Sequence, residues 1–282
     1  MKPFIKTLLP LAVVIGLNLS VNAQEVLTPQ PSSAQTIIQD FGLGKITVNY
    51  SRPSAKGRKI FGALEPFDKV WRTGANFATT LVFTDAVKIE GKEVSAGEYG
   101  LFTIPSKNEW TIILSKAAKQ WGAYTYNEKD DVLRVKVKPV ALQNKVETFT
   151  MQFANVLPTA AQLQLSWENT LVPINLTTDI DAKVMARIDA AMKGEKKPYF
   201  QAAHYYLENG KDLNKALEWF SEAEKGAQDA PYIKLWKGKT QLKMGDKKGA
   251  QASAQAGLDV AKKTNNEEYV RLCSQLLADS KK

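Results

Sequence analysis

Residues 162–167 read Gln-Leu-Gln-Leu-Ser-Trp, and this stretch decides the fold because polar and apolar side chains alternate strictly along it. Successive side chains of a β-strand point to opposite faces of a sheet, so this alternation is typical of a half-buried strand. The same pattern occurs at residues 46–50, 133–137, 149–153 and 172–176. Many short strands without helical periodicity between them predict antiparallel sheets in a sandwich or barrel.

The pattern changes near residue 179 from a period of two to the period of a helix. Residues 180–193 place Val184, Ile188 and Met192 on one helical face, with aspartates near the start of the helix. The alanine-rich stretch at 199–282 continues this helical pattern. We therefore expect the last third of the chain to be all-helical.

Two units repeat within this helical stretch. Gly210 and Gly245 lie 35 positions apart, and Ala216 and Ala250 lie 34 positions apart. A period near 34 residues, with glycine at the turn between helices and small residues where the helices cross, resembles the tetratricopeptide repeat. Such repeats stack helix pairs and leave a concave face for a segment of a partner protein.

These patterns together predict an α+β chain. We expect a flexible lead-in at residues 24–33 and an antiparallel β-sandwich-like domain at residues 34–178. An all-α tetratricopeptide-like domain follows at residues 179–282.

The first 23 residues have the three parts of a secretory signal peptide. Lys2 and Lys6 supply a basic start, residues 8–19 are almost entirely apolar, and Val21 and Ala23 are the small residues that a signal peptidase reads. The apolar run is too short for a transmembrane helix, which needs about 20 residues. We predict cleavage after Ala23 and export to the periplasm or the medium, with no membrane-spanning segment left after removal.

Composition excludes several classes of function. The formal net charge is +9, but an exported chain rarely meets nucleic acid, so we interpret the charge as a solvated surface and expect no nucleic-acid partner. Cys273 is the only cysteine and His204 the only histidine, which excludes an internal disulfide and zinc sites of the Cys/His type. No nucleotide-binding or nucleophile-elbow motif occurs. We expect no catalytic residue, cofactor or metal.

Two loops carry a concentrated signature, YSRPSAKGRKIFG at residues 50–62 and VWRTGAN at residues 70–76. Together with the segments at 96–105 and 121–124, they resemble a bacterial exported family catalogued as domain of unknown function 2911. The resemblance covers about residues 35–179 and implies an exported setting without implying any activity. Phe77 departs from the polar or acidic residue that the resemblance implies after the GAN triplet.

The signature is rich in hydrogen-bond donors and aromatic rings. Guanidinium groups bind carboxylates and phosphates through paired donors, and aromatic faces stack on sugars and cations. We predict a site for an anionic or glycan ligand. Its predicted residues are Arg52, Ser54, Lys56, Arg58, Trp71, Arg72, Thr73, Asn76, Trp121 and Tyr124.

The leading hypothesis is an exported, non-catalytic binding protein whose helical repeats hold a protein partner. One alternative is a hydrolase of envelope polysaccharide that uses paired carboxylates such as Glu65 and Glu98. The other is a purely structural or assembly factor, in which the arginines pair with Glu65, Asp68 or backbone carbonyls and hold irregular loops in place.

Overall fold

A computed structural model describes residues 28–282 of the chain. The predicted signal peptide and residues 24–27 lie outside the described residues. Ten strands are followed by six helices, which confirms an α+β chain whose antiparallel sheets precede its helices. The strands are β1 Ser33–Phe41, β2 Gly44–Arg52, β3 Thr79–Phe83, β4 Val87–Ile89, β5 Lys92–Val94, β6 Gly97–Ile104, β7 Trp110–Ser115, β8 Asp131–Val137, β9 Val140–Ala154 and β10 Ala160–Thr177.

The strands form two sheets. A six-stranded sheet has the order β1-β2-β3-β6-β7-β8, and a four-stranded sheet has the order β5-β4-β10-β9. The pairings β2–β3, β3–β6, β6–β7 and β7–β8 of the first sheet are antiparallel, as are β9–β10 and β4–β5 of the second. A loop of 26 residues, 53–78, connects β2 to β3 and contains the second signature segment and residues 53–62 of the first, whose residues 50–52 belong to β2.

An aromatic core joins the two sheets. Trp110 comes from β7 of the six-stranded sheet, Trp167 and Phe149 come from the four-stranded sheet, and all three are at most 2% exposed. Trp71 from the β2–β3 loop lies among them, stacked on Trp167 with 5.8 Å between ring centroids. Its ring also meets Phe149 at 5.1 Å and Trp110 at 6.3 Å, both edge to face.

Strand β10 has an irregularity at Glu168 that coincides with a change of phase in its sequence. Leu163, Leu165 and Trp167 are buried at odd positions, whereas the buried residues after the irregularity stand at even positions 172, 174 and 176. The register to β9 shifts on both sides of Glu168, whose φ is 52°. From Ser166 to Thr170 of β10 the partners in β9 run from Thr150 to Ala141, so the pairing is irregular here and the extra residues lie in β9. The change of phase lets both halves of β10 keep their apolar side chains in the core.

The helices form a second compact unit, made of residues 41–43, 157–160 and 177–282. The rest of the described chain, residues 28–40, 44–156 and 161–176, forms the β unit. No helix within residues 28–282 combines the length and the apolar content that crossing a lipid bilayer requires. The helices are α1 Asp181–Ala191, α2 Tyr199–Glu208, α3 Leu213–Gly226, α4 Pro231–Lys243, α5 Lys247–Lys263 and α6 Glu267–Asp279.

Local sequence signals set the helix ends. The side chains of Asp212, Asp246 and Asn266 accept hydrogen bonds from backbone N–H groups in the first turns of α3, α5 and α6. Gly210 and Gly245 adopt φ of 65° and 84° in the turns after α2 and α4, a conformation that costs glycine little. The helices therefore form consecutive pairs, α2 with α3 and α4 with α5, followed by α6.

Replacing Trp71 should test how much the fold depends on the aromatic core. Trp71 is 3% exposed, and removing a buried tryptophan ring typically costs about 3–5 kcal/mol through lost burial and a residual cavity. We expect Trp71→Ala to lower the free energy of unfolding by that amount in urea denaturation. Trp121→Ala is the matched control at a 57% exposed site, where the change should stay within about 0.5 kcal/mol. Equal effects of the two substitutions would contradict the assignment of Trp71 to the core.

Candidate functional site

The VWRTGAN segment is held by hydrogen bonds that are mostly buried. The backbone of Trp71 pairs in both directions with that of Thr103 in β6, and its indole Nε1 donates to the carbonyl of Gly74 at 3.1 Å. The Thr79 hydroxyl donates to the carbonyl of Thr73 at 2.6 Å, and the Thr73 hydroxyl lies 3.1 Å from that of Thr103. The loop is thus tied to β6 and to the start of β3.

The same segment contains strained backbone. Thr73 and Asn76 adopt φ of 57° and 58°, and Gly74 adopts a φ of 150°. A Cβ atom on Gly74 would lie 2.9 Å from the carbonyl oxygen of Ser51, so glycine is required at this close approach. Strain of this kind costs about 1–3 kcal/mol per residue and persists only where the surroundings enforce it.

The predicted arginine donors of the first signature loop bond to protein acceptors. Arg52 donates through Nε to the carbonyl of Phe149 and through Nη2 to the hydroxyl of Thr150. Arg58 donates to the carbonyls of Ala55 and Ser54 at 2.9 and 2.7 Å. The bonds of Arg58 to backbone carbonyls hold the irregular loop that contains it, whereas Arg52 links β2 to β9.

The other predicted residues of the two loops have diverse surroundings. The Ser54 hydroxyl lies 3.1 Å from that of Thr148, and Asn76 donates to the Ser32 carbonyl. Lys56 is exposed, and its backbone N–H donates to Glu147. Trp71 and Thr73 are buried in the protein interior. Trp71 and Thr73 therefore do not reach an accessible surface, whereas Lys56 does.

Arg72 and Glu65 form a half-buried electrostatic pair. The Nε of Arg72 is buried and has no hydrogen-bond partner within the part of the chain that the structure describes. Burial raises the pKa of Glu65 from 4.5 to about 7, while the positive charges of Arg72 and Arg58 offset part of this shift. Glu65 thus carries a proton in the folded protein over much of the mildly acidic range.

Three exposed aromatic side chains lie where the second loop meets the segment after β7. Phe77, Trp121 and Tyr124 are 62%, 57% and 85% exposed, and they are three of the four exposed aromatic residues within residues 28–282. Phe77 and Trp121 form an isolated antiparallel bridge, and their rings meet edge to face at 5.0 Å. The Tyr124 ring lies beside Gly122, where an added Cβ would come within 2.7 Å of it. We call these three residues the aromatic platform.

An open pocket of about 430 Å³ adjoins the platform at Phe77. Glu98 and Lys119 form an ion pair of 3.7 Å there, and Asn49 donates to the hydroxyl of Thr80 at 3.2 Å. The polar residues of the pocket are Gln35, Thr36, Asn49, Ser51, Thr80, Glu98 and Lys119.

Sequence reasoning found part of this surface and missed the rest. Trp121 and Tyr124 were predicted as ligand-contacting rings, whereas Phe77 was noted only as a departure from the family pattern. Asn49 and Thr80 were not predicted. The feature that could have identified these two residues is their position in paired strands, since Asn49 of β2 lies opposite Thr80 of β3.

No metal centre is formed in the described part of the chain, since residues 28–282 contain no group of three or more His, Cys, Asp and Glu side chains with a suitable arrangement.

Two antiparallel sheets pack around a tryptophan core, and loops beside them present aromatic rings to solvent. This arrangement defines a β-sheet module with an exposed surface formed by its loops. The family model described as "Protein of unknown function (DUF2911)" matches residues 32–176, about half of the chain. The chain belongs to this family, and the resemblance drawn from the signature is confirmed. Neither the curated proteins nor the solved structures contain a significant match to the chain.

Glu65→Gln should remove a pH dependence of stability. The pKa of Glu65 is higher in the folded protein than in the unfolded chain, about 7 against 4.5, so its stabilising contribution is complete below pH 4.5 and is lost as the pH rises to 7. We expect the variant to match the wild type at pH 4.5 and to be more stable by about 1–3 kcal/mol at pH 8. Chemical denaturation at both pH values measures this, with exposed Glu98→Gln as the control. A Glu65→Gln variant that is less stable at pH 8 would show that the carboxylate is a net favourable partner of the arginines.

Proposed function

We propose that the protein is an exported, non-catalytic binding protein whose β unit binds a glycan on the aromatic platform. The observation that carries the proposal is the exposure of three rings close together in the chain, of which Phe77 and Trp121 pack edge to face and Phe77 also lines a pocket that contains several polar side chains. A surface that is already ordered loses little conformational entropy when a ligand binds.

The chemistry of the platform fits a sugar better than a free anion. Aromatic faces pack against the apolar C–H faces of pyranose rings, and the pocket offers both donors and acceptors for hydroxyl groups. Arg52 and Arg58, which an anion would need, already donate to protein carbonyls. Within the anionic or glycan class predicted from the sequence, these contacts favour the glycan.

A hydrolase with paired carboxylates remains a second candidate because of one observation, the raised pKa of Glu65. A carboxyl group with a pKa near 7 can act as a general acid at neutral pH. However, Glu98 lines the platform pocket, whereas Glu65 does not. The binding proposal therefore assigns no reaction to the pocket.

Export is supported by the sequence alone. The basic start, the apolar run at residues 8–19 and the small residues before Gln24 favour cleavage after Ala23. A periplasmic or secreted location would bring the platform into contact with envelope polysaccharides.

We further propose that the helical unit is tetratricopeptide-like and binds a protein partner. The consecutive helix pairs, the glycines with positive φ at 210 and 245, and the fully buried Ala216 and Ala250 support this proposal. Gly238 adds a close helix contact, since a Cβ there would lie 2.9 Å from Leu276.

Binding of oligosaccharides to residues 24–282 tests the main proposal. The probes are neutral oligosaccharides, uronic-acid oligosaccharides and peptidoglycan fragments, screened by thermal shift and then by calorimetry. A ligand at a hundred times its dissociation constant stabilises the fold by about 2.7 kcal/mol. We expect a glycan to bind the wild type and Trp121→Ala to weaken its binding at least about fivefold, since loss of one stacked ring removes about 1 kcal/mol or more.

Tyr232→Ala, which removes an exposed ring from the helical unit, is the matched control and should bind like the wild type. Binding that is unchanged in Trp121→Ala and in Phe77→Ala would overturn the platform assignment. Release of shorter sugars by the wild type, lost in Glu65→Gln, would replace the binding proposal with the hydrolase.

A further inference from the structure

The helical unit contains an open groove of about 900 Å³, which we call the helical groove. All of its lining residues belong to this unit, and helices α2 and α4 contribute most of them. Its aromatic lining consists of Phe200, His204, Tyr205, Tyr232, Trp236 and Tyr269.

The rings of the groove support one another at steep angles. His204 meets Trp236 at 4.3 Å with an interplanar angle of 81°, and Phe200 meets Tyr232 at 4.9 Å and 89°. The ammonium group of Lys239 lies 4.0 Å from the centroid of the Trp236 ring. This mutual packing restricts the rings, so the groove presents a preformed apolar surface.

One exposed carboxylate belongs to the lining of the groove. Glu208 is the only charged lining residue, and its carboxylate forms neither a hydrogen bond nor an ion pair within residues 28–282. The hydroxyl of the lining residue Tyr205 donates a hydrogen bond to Asp181 at 2.9 Å, and Asp181 also pairs with Lys211. Burial, the bond to Asp181 and the nearby charges of Asp181 and Asp179 raise the pKa of Tyr205 to about 12.

We propose that the helical groove binds a polypeptide segment in which a lysine or arginine accompanies proline or other apolar residues. This inference rests on the proposed function of the helical unit and names the chemistry of its partner. The apolar residues would cover the rings, and the cation would pair with Glu208. Proline suits an aromatic groove because its extended conformation is already formed before binding. An acidic segment would instead place like charges together at Glu208.

Selection from a displayed library of random dodecapeptides on immobilised residues 24–282 tests the proposal without assuming a sequence. The expected result is enrichment of peptides that combine lysine or arginine with proline or other apolar residues. No enrichment over a blank surface, or enrichment of acidic peptides, would overturn it.

The most enriched peptide is then synthesised, and its affinity is measured by fluorescence anisotropy. We expect Trp236→Ala to abolish binding and Glu208→Gln to weaken it about tenfold, with Glu195→Gln as an exposed acidic control that has no effect. Trp236 is half-buried, so Gln201→Arg, at an exposed lining position, provides a second variant that repels the cation without removing a packed ring. Binding that is unchanged in both Trp236→Ala and Gln201→Arg would place the peptide elsewhere and refute the groove.

The two proposals fail independently. If no peptide binds while oligosaccharides still bind the platform, only the proposal for the helical groove is refuted. If no oligosaccharide binds while the basic peptide still binds, only the proposal for the aromatic platform is refuted.

Discussion

The Trp71 indole is the contact on which the rest of the β unit depends. Its ring stacks on Trp167 of one sheet and meets Trp110 of the other, its backbone pairs with Thr103 in β6, and its Nε1 donates to the Gly74 carbonyl. One residue of a long loop thereby joins the core of both sheets to the turn that follows it. Burying so large a ring also supplies free energy to order a loop that has no regular secondary structure.

This anchoring lets the loop present apolar side chains to solvent. The strained residues Thr73 and Asn76 are held by hydrogen bonds inside the β unit, so the chain leaves the core with a defined direction. Phe77 then lies at the surface and pairs with Trp121 instead of collapsing inward. In the helical unit, the aromatic rings of the groove are likewise held in defined orientations, by contacts with one another.

The sequence predicted the fold better than it predicted the site. Alternation in β10 identified both of its halves, but only the placed strands show that the two halves form one continuous strand with an irregularity at Glu168. The helix ends at Gly210 and Gly245 followed from local turn chemistry. Arg52 and Arg58 carry donors that suit an anion, yet only the geometry shows that Phe149, Ala55 and Ser54 accept those bonds. Phe77 was not predicted as a ligand-contacting ring, since it was considered only as a departure from the polar or acidic residue that the family resemblance implies.

Amide hydrogen exchange of Trp71→Phe tests the anchoring most directly, because phenylalanine fills most of the buried volume and lacks the indole donor. In the wild type, the Ala78 and Thr79 amides, which bond to Gln120 and Arg72, should be protected almost as strongly as those of β7. In the variant, exchange at residues 72–79 should accelerate at least about tenfold, since leaving a buried carbonyl unpaired costs roughly 1–3 kcal/mol, while β7 is unchanged. Unprotected loop amides in the wild type, or equal exchange in both proteins, would contradict a loop held in place by Trp71.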